Sequence, residues 1–189
     1  MNEDIVMIVS AWEQTERELC MVPHRRFMDL TLCYYMMQKA GKYGNHVNLV
    51  ILDFKEAEKR GLSDDEELFR TAARNTMREF PLLIRDLGDG MYVMTNKKNV
   101  FGATAMFYPG SLVEASEQVG GNMVIVPVSI HEVICIPAED ADVDDLQESL
   151  IHLNFEETPD DCVLSSSLYY YDARCQKISA LTVGEEMVQ

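Results

Sequence analysis

Along this chain, short runs of β-branched and aromatic residues come in pairs separated by turn sequences. Each of the first three pairs is followed by a segment whose apolar positions recur at helical spacing. Leu30–Met37 and Val47–Leu52 predict a hairpin around Gly41–Asn45. Met91–Thr95 and Ala103–Tyr108 predict a second around Asn96-Lys97-Lys98-Asn99. Met123–Val126 with Glu132–Ile136, and Leu168–Tyr171 with Lys177–Leu181, complete the series. A first helix is expected over Trp12–Leu19, ahead of the breaker Pro23. Ser63-Asp64-Asp65-Glu66 and Ser111-Leu112-Val113-Glu114 have capping-box spacing, which starts a helix by satisfying free backbone N–H groups. The first of these helices ends at Phe80-Pro81, and the second at Gly120-Gly121. Asp142–Asn154 puts Val143, Leu146, Leu150 and Leu153 on one face.

Strand–strand–helix three times, then strand–strand, predicts an α+β fold. Its antiparallel sheet would carry the helices on one face. No linker rich in Pro, Gly or Ser divides residues 1–189, so the pattern predicts a single α+β domain.

Composition changes this picture in one respect. The 189 residues are ordinarily apolar and ordinarily charged, but 32 Asp and Glu face 16 Lys and Arg, a net of −16. Residues 1–98 are nearly balanced at −2, and residues 174–189 are neutral. Residues 99–173 hold 14 acidic side chains and no Lys or Arg. The excess is therefore local. Its densest stretch is Glu139, Asp140, Asp142, Asp144, Asp145 and Glu148, followed by Glu156, Glu157, Asp160 and Asp161. On the helix, Asp145, Glu148 and His152 share a face away from the leucines.

Such a surface excludes a simple electrostatic grip on nucleic acid or on an anionic membrane. It suits a basic protein, including a nucleic-acid-binding enzyme whose cleft it could occupy. The plain alternative is a solvated face that keeps the protein in solution. A third reading pairs the acids with the Arg70, Arg74 and Arg78 stripe, within the chain or in a homo-oligomer. Glu66 is spaced to pair with Arg70.

Enzymatic signatures are weak. There is no phosphate-binding glycine loop, no nucleophile elbow and no C-x-x-C pair. His131-Glu132 lacks the second histidine of a helical zinc motif, and a histidine hydrogen-bonded at a strand end is its expected role. His24 and Asp29 could join His131 and Glu132 if the fold brought them together, as a metal or ligand cluster. No cofactor is implied and no catalytic residue stands out. Asn75 reads as structural, and the tyrosines at 34–35 and 169–171 as sheet packing. The five cysteines, odd in number and widely spaced, read as reduced core residues. An acidic start, Asn2-Glu3-Asp4, and a brief apolar run, Ile5–Val9, do not resemble a signal peptide, and no run is long enough to cross a membrane. A cytoplasmic location is expected.

Several segments together resemble the C-terminal part of an uncharacterised bacterial domain family common in gut anaerobes. They are residues 22–30, 73–76 with Phe80-Pro81, 91–97, 127–134 and 169–172. Val128 stands where that family usually has serine, and its members are commonly longer at the N-terminus. The resemblance supplies a grouping and no activity. A free-standing, shortened, acidic version of such a domain suits a mobile-element protein. Small acidic inhibitors of nucleic-acid enzymes, anti-CRISPR proteins among them, share that profile.

Overall fold

The structure, a computed structural model, describes residues 2–11, 19–40 and 46–181, with the backbone alone at 39, 40 and 46. Residues 12–18 of the expected first helix, and the expected turn at 41–45, lie outside the described residues. The chain divides into two compact units, Met1–Pro81 and Leu82–Gln189. Both combine antiparallel strands with helices, so the chain is α+β.

The first unit contains β1 (Ile5–Ala11), β2 (His24–Phe27), β3 (Leu30–Ala40), β4 (His46–Ile51), α1 (Phe54–Lys59) and α2 (Asp65–Glu79). Everything in its sheet pairs with β3. On one side β1 runs from Ile5 opposite Met36 to Ala11 opposite Leu30. On the other side β2 takes Leu30–Cys33 and β4 takes Tyr35–Ala40, the expected hairpin. The run Ile5–Val9 is a fully buried strand, and five residues are enough for one. The sequence pattern alone predicts no element there. Nor does it predict β2, whose His24-Arg25-Arg26 has no apolar signal; pairing with β3 holds it extended.

α2 starts one residue later than the capping-box spacing implies. Asp64, not Ser63, is its N-cap, and its carboxylate accepts the Glu67 N–H at 2.8 Å. The helix packs on β1 and also completes that strand's outer edge. The Met7 N–H donates to Thr76 Oγ1 at 2.9 Å, and Asn75 Nδ2 donates to the carbonyls of Asn2 and Ile5 at 2.7 and 2.8 Å. Asn75 is thus structural, since a buried strand edge needs partners for its backbone groups.

The second unit contains β5 (Leu82–Gly88), β6 (Met91–Asn96), α3 (Ser111–Val119), β7 (Met123–Ser129), β8 (Glu132–Pro137), α4 (Val143–Glu156), β9 (Tyr169–Asp172) and β10 (Lys177–Ala180). Its antiparallel sheet has the order β10-β9-β7-β8-β6-β5. The expected strand at Ala103–Tyr108 is instead a 3-10 helix, Gly102–Phe107. The partner of β6 is β5, which precedes it, across a turn with Asp89 and Gly90 at φ 51 and 77. Two alanines make 103–108 a poor strand, whereas Leu82-Leu83-Ile84 suits one. Asn96–Asn99 is a turn, closed by the Asn99 N–H on Asn96 O, but it joins no hairpin. The second capping box does not form either. Gly110 is the N-cap of α3 at φ 83, and the Ser111 hydroxyl donates back to Tyr108 O. α3 stops at Gly120, as expected, with φ 98.

Along β7, Met123, Val124, Ile125 and Val126 are all buried, so both faces of this sheet are covered rather than one. Val124, Val126, Ile136 and Leu168 pack against Leu150 of α4, with Val143 and Leu146 beside them. α3 packs on β6 and β8. Tyr34, Tyr169 and Tyr171 are buried sheet residues. Of the cysteines only Cys33 and Cys135 are core; Cys20 and Cys175 are exposed and Cys162 is half-buried. The core reading of all five therefore fails for three of them. Among the described residues, no helix is long and apolar enough to cross a membrane.

Candidate functional site

α4 orders most of the acidic stretch. Asp142 is its N-cap and accepts the Asp145 N–H at 3.2 Å. Asp144 and Asp145 lie in the first turn, where the positive end of the helix dipole favours carboxylates. These three acids therefore stabilise the helix whatever else they do. Glu156 and the C-cap Glu157 lie at the other end, with no basic residue in the last turn. There the dipole is negative, and the carboxylates work against it.

Glu139 and Asp140 occupy the turn after β8, and Asp160 and Asp161 the 3-10 turn Asp160–Cys162. All ten acidic candidates, Glu139, Asp140, Asp142, Asp144, Asp145, Glu148, Glu156, Glu157, Asp160 and Asp161, are exposed. His152 is exposed as well. So are Ile151 and Phe155, an apolar pair one turn apart on the same helix, which the sequence reading did not single out. Their signal was present: neither belongs to the face marked by Val143, Leu146, Leu150 and Leu153.

Acids in the first unit are placed differently. Arg25 pairs with Asp65 and Glu66 at 2.8 and 2.6 Å and lies over the Phe69 ring. Arg60 pairs with Asp4 at 2.8 Å and Glu56 at 2.9 Å. Arg70 pairs with Glu66 at 3.4 Å, as the spacing requires. Hydrogen bonds from Arg25 hold Glu66 below the usual carboxylate range, and those from Arg60 and Lys59 do the same for Glu56.

The four residues of the alternative cluster are divided between the units. His24 opens β2, where its Nδ1 lies 3.0 Å from Val22 O, and Asp29 is in the turn before β3. His24 also lines a cleft of about 420 Å³ with Pro23, Phe54, Leu62, Asp65 and Leu68. In the second unit His131 is in the β7–β8 turn and Glu132 opens β8. Among the described residues, no three His, Cys, Asp or Glu side chains are gathered to hold a metal ion.

His131 pins a loop. Its Nδ1 accepts the Phe101 N–H at 3.1 Å, and its carbonyl accepts the Thr95 hydroxyl at 2.8 Å. An amide can only donate, so the imidazole proton is on Nε2, which lies 3.8 Å from Cys162 Sγ. Thiolate formation through this imidazole would put a second proton on Nδ1, against the Phe101 N–H. Partial desolvation and the neighbouring Asp161 also push the Cys162 thiol up. The pair is a structural contact and lacks the features of an activated nucleophile. Strand-end hydrogen bonding is the role expected of His131, but Phe101 and Cys162, 30 residues before it and 31 after it, give no sequence signal.

The whole of this loop, His131 and α4 lies in one segment with known kin. Residues 86–173 match DUF5688, a family of unknown function. No curated protein and no solved structure matches the chain. The DUF5688 segment contains all ten acidic candidates together with His131 and Glu132, and excludes His24 and Asp29. It takes in the resembling stretches at 91–97, 127–134 and 169–172; those at 22–30 and 73–81 lie outside it.

Proposed function

We propose that this is a non-enzymatic interaction protein whose second unit presents an acidic surface to a basic protein. The partner class is a nucleic-acid-handling enzyme, because its cleft is built to hold a row of phosphates. Occupying that cleft makes the protein an inhibitor of the anti-CRISPR or nucleic-acid-mimic kind.

The observation carrying this reading is the exposure of all ten acidic candidates on a unit with 18 acidic and 5 basic side chains. Charge complementarity of this kind speeds encounter and makes association sensitive to salt. The Arg stripe is a weaker match for these carboxylates. Arg70 is engaged by Glu66, and Arg78 by Glu3 O and Glu79.

Affinity capture from host lysate at low and high salt, followed by binding measurements on the captured protein, tests the proposal. The triple variant Asp142→Asn, Asp145→Asn, Glu148→Gln should bind about tenfold more weakly, mostly through slower association. Asn also caps helices, so the fold survives the change. Binding indifferent to both salt and this variant would sink the reading.

A further inference from the structure

The outer face of α4 combines charge with an apolar anchor. Asp144, Glu148, Ile151 and Phe155 follow one another at intervals of four, three and four residues, which places them in one stripe about 16 Å long. The apolar half is open: Ile151 is 54% exposed and Phe155 84%. Neither belongs to the core cluster that α4 joins through Leu150, Leu146 and Val143. Beside them are Glu156 and Glu157, two carboxylates at the helix end that disfavours them. A cation at this end would be attracted by both carboxylates and by the negative helix terminus.

We propose that Ile151 and Phe155 are the anchor of a docking site for a protein segment that carries apolar side chains flanked by Lys or Arg. The apolar side chains pack on Ile151 and Phe155, and the cations meet Glu148, Glu156 and Glu157. The occupant follows from charge: α4 carries acidic and no basic side chains, so it repels an acidic segment and attracts a basic one. The inference rests on the acidic-surface reading and adds its centre, since binding energy concentrates in buried aromatic anchors ringed by polar contacts.

Two synthetic peptides of equal positive charge separate the claims. One is an amphipathic helix of Lys and Leu with its leucines on one face; the other is oligolysine. Binding to the full chain is measured by calorimetry at low and high salt. The Lys/Leu peptide should bind at least about tenfold more tightly. Ile151→Ala with Phe155→Ala should erase that advantage and leave oligolysine binding unchanged. Phe155→Leu should retain part of it. Glu156→Gln with Glu157→Gln should weaken both peptides more than Glu114→Gln with Glu117→Gln, an equal change of charge on α3. Circular dichroism should show the fold intact in every variant, because these side chains are exposed. Should the two peptides bind equally, or the advantage survive the double alanine variant, the anchor is wrong and the acidic surface stands. Should neither peptide bind, the acidic surface itself is wrong.

Discussion

The two units of this chain handle the same kind of side chain in opposite ways. In the first, 14 acidic side chains face 11 basic ones, and Glu56, Asp65 and Glu66 are paired with Arg25 or Arg60. In the second, 18 face 5, and the acids of α4 and its flanking turns stand exposed. Paired surface charge is one way to tie helices to a sheet; the Arg25 link does so between β2 and the start of α2. Exposed charge of one sign cannot pair with itself. It imposes self-repulsion that the core must outweigh. The second unit must therefore be held from inside, and among its described glycines Gly102 is the most tightly enclosed.

That constraint provides the sharpest test of the comparison. A Cβ on Gly102 would collide with the Thr95 hydroxyl and with the backbone carbonyl of His131, which cannot swing aside as a long side chain could. Gly102→Ala should therefore cost about 3 kcal/mol or more, the upper range for overpacking. Amide exchange followed segment by segment should show the loss in residues 82–181. If the first unit loses protection equally, the two units unfold together, and the single-domain reading of the sequence describes the folding cooperativity.

This position also shows how far the sequence could be read. Strand pairs at 30–52, 123–137 and 169–180 were legible because apolar content and turn residues act locally. So was α4, whose leucines and N-terminal Asp142 announce it. β2 was not legible, because its polar sequence is extended only through its partner. The 3-10 helix at Gly102–Phe107 packs against the backbone at Ile130, whose carbonyl accepts the Ala103 N–H, and at His131, and no local window contains either. For the candidate site, the acidic surface could be read directly, since charge is counted residue by residue. The Ile151–Phe155 pair needed the helix to be placed first, because an apolar residue becomes informative only when it is known to face outward.

The first unit has its own internal test, smaller in effect. Asn75 is buried and donates to two carbonyls at the edge of β1. Asn75→Ala leaves both without that donor, at a cost of about 2 kcal/mol. Thermal unfolding gives the total, and exchange should place the loss in β1 and α2. A change confined to residues 82–181 would contradict the division into units drawn here.

Surface charge supplies the smallest and most discriminating test, because salt should act on the two units with opposite sign. Added salt screens the Arg25 and Arg60 pairs and weakens the first unit slightly, while it screens like charges and strengthens the second. Acid adds a signature specific to the first. Glu56 and Glu66 are held below their ordinary value of 4.5 by Arg60 and Arg25. The stability they contribute is fully present above that value and is lost as pH falls through their lowered folded values. Protection in α1 and in the first turn of α2, with the intrinsic pH dependence of amide exchange divided out, should accordingly be flat above pH 4.5 and fall below it. Arg25→Gln should remove the part belonging to α2 and leave that of α1, which depends on Arg60. If Arg25→Gln leaves the α2 profile unchanged, the pairing is incidental, and the contrast between the units rests on the excess charge of the second alone.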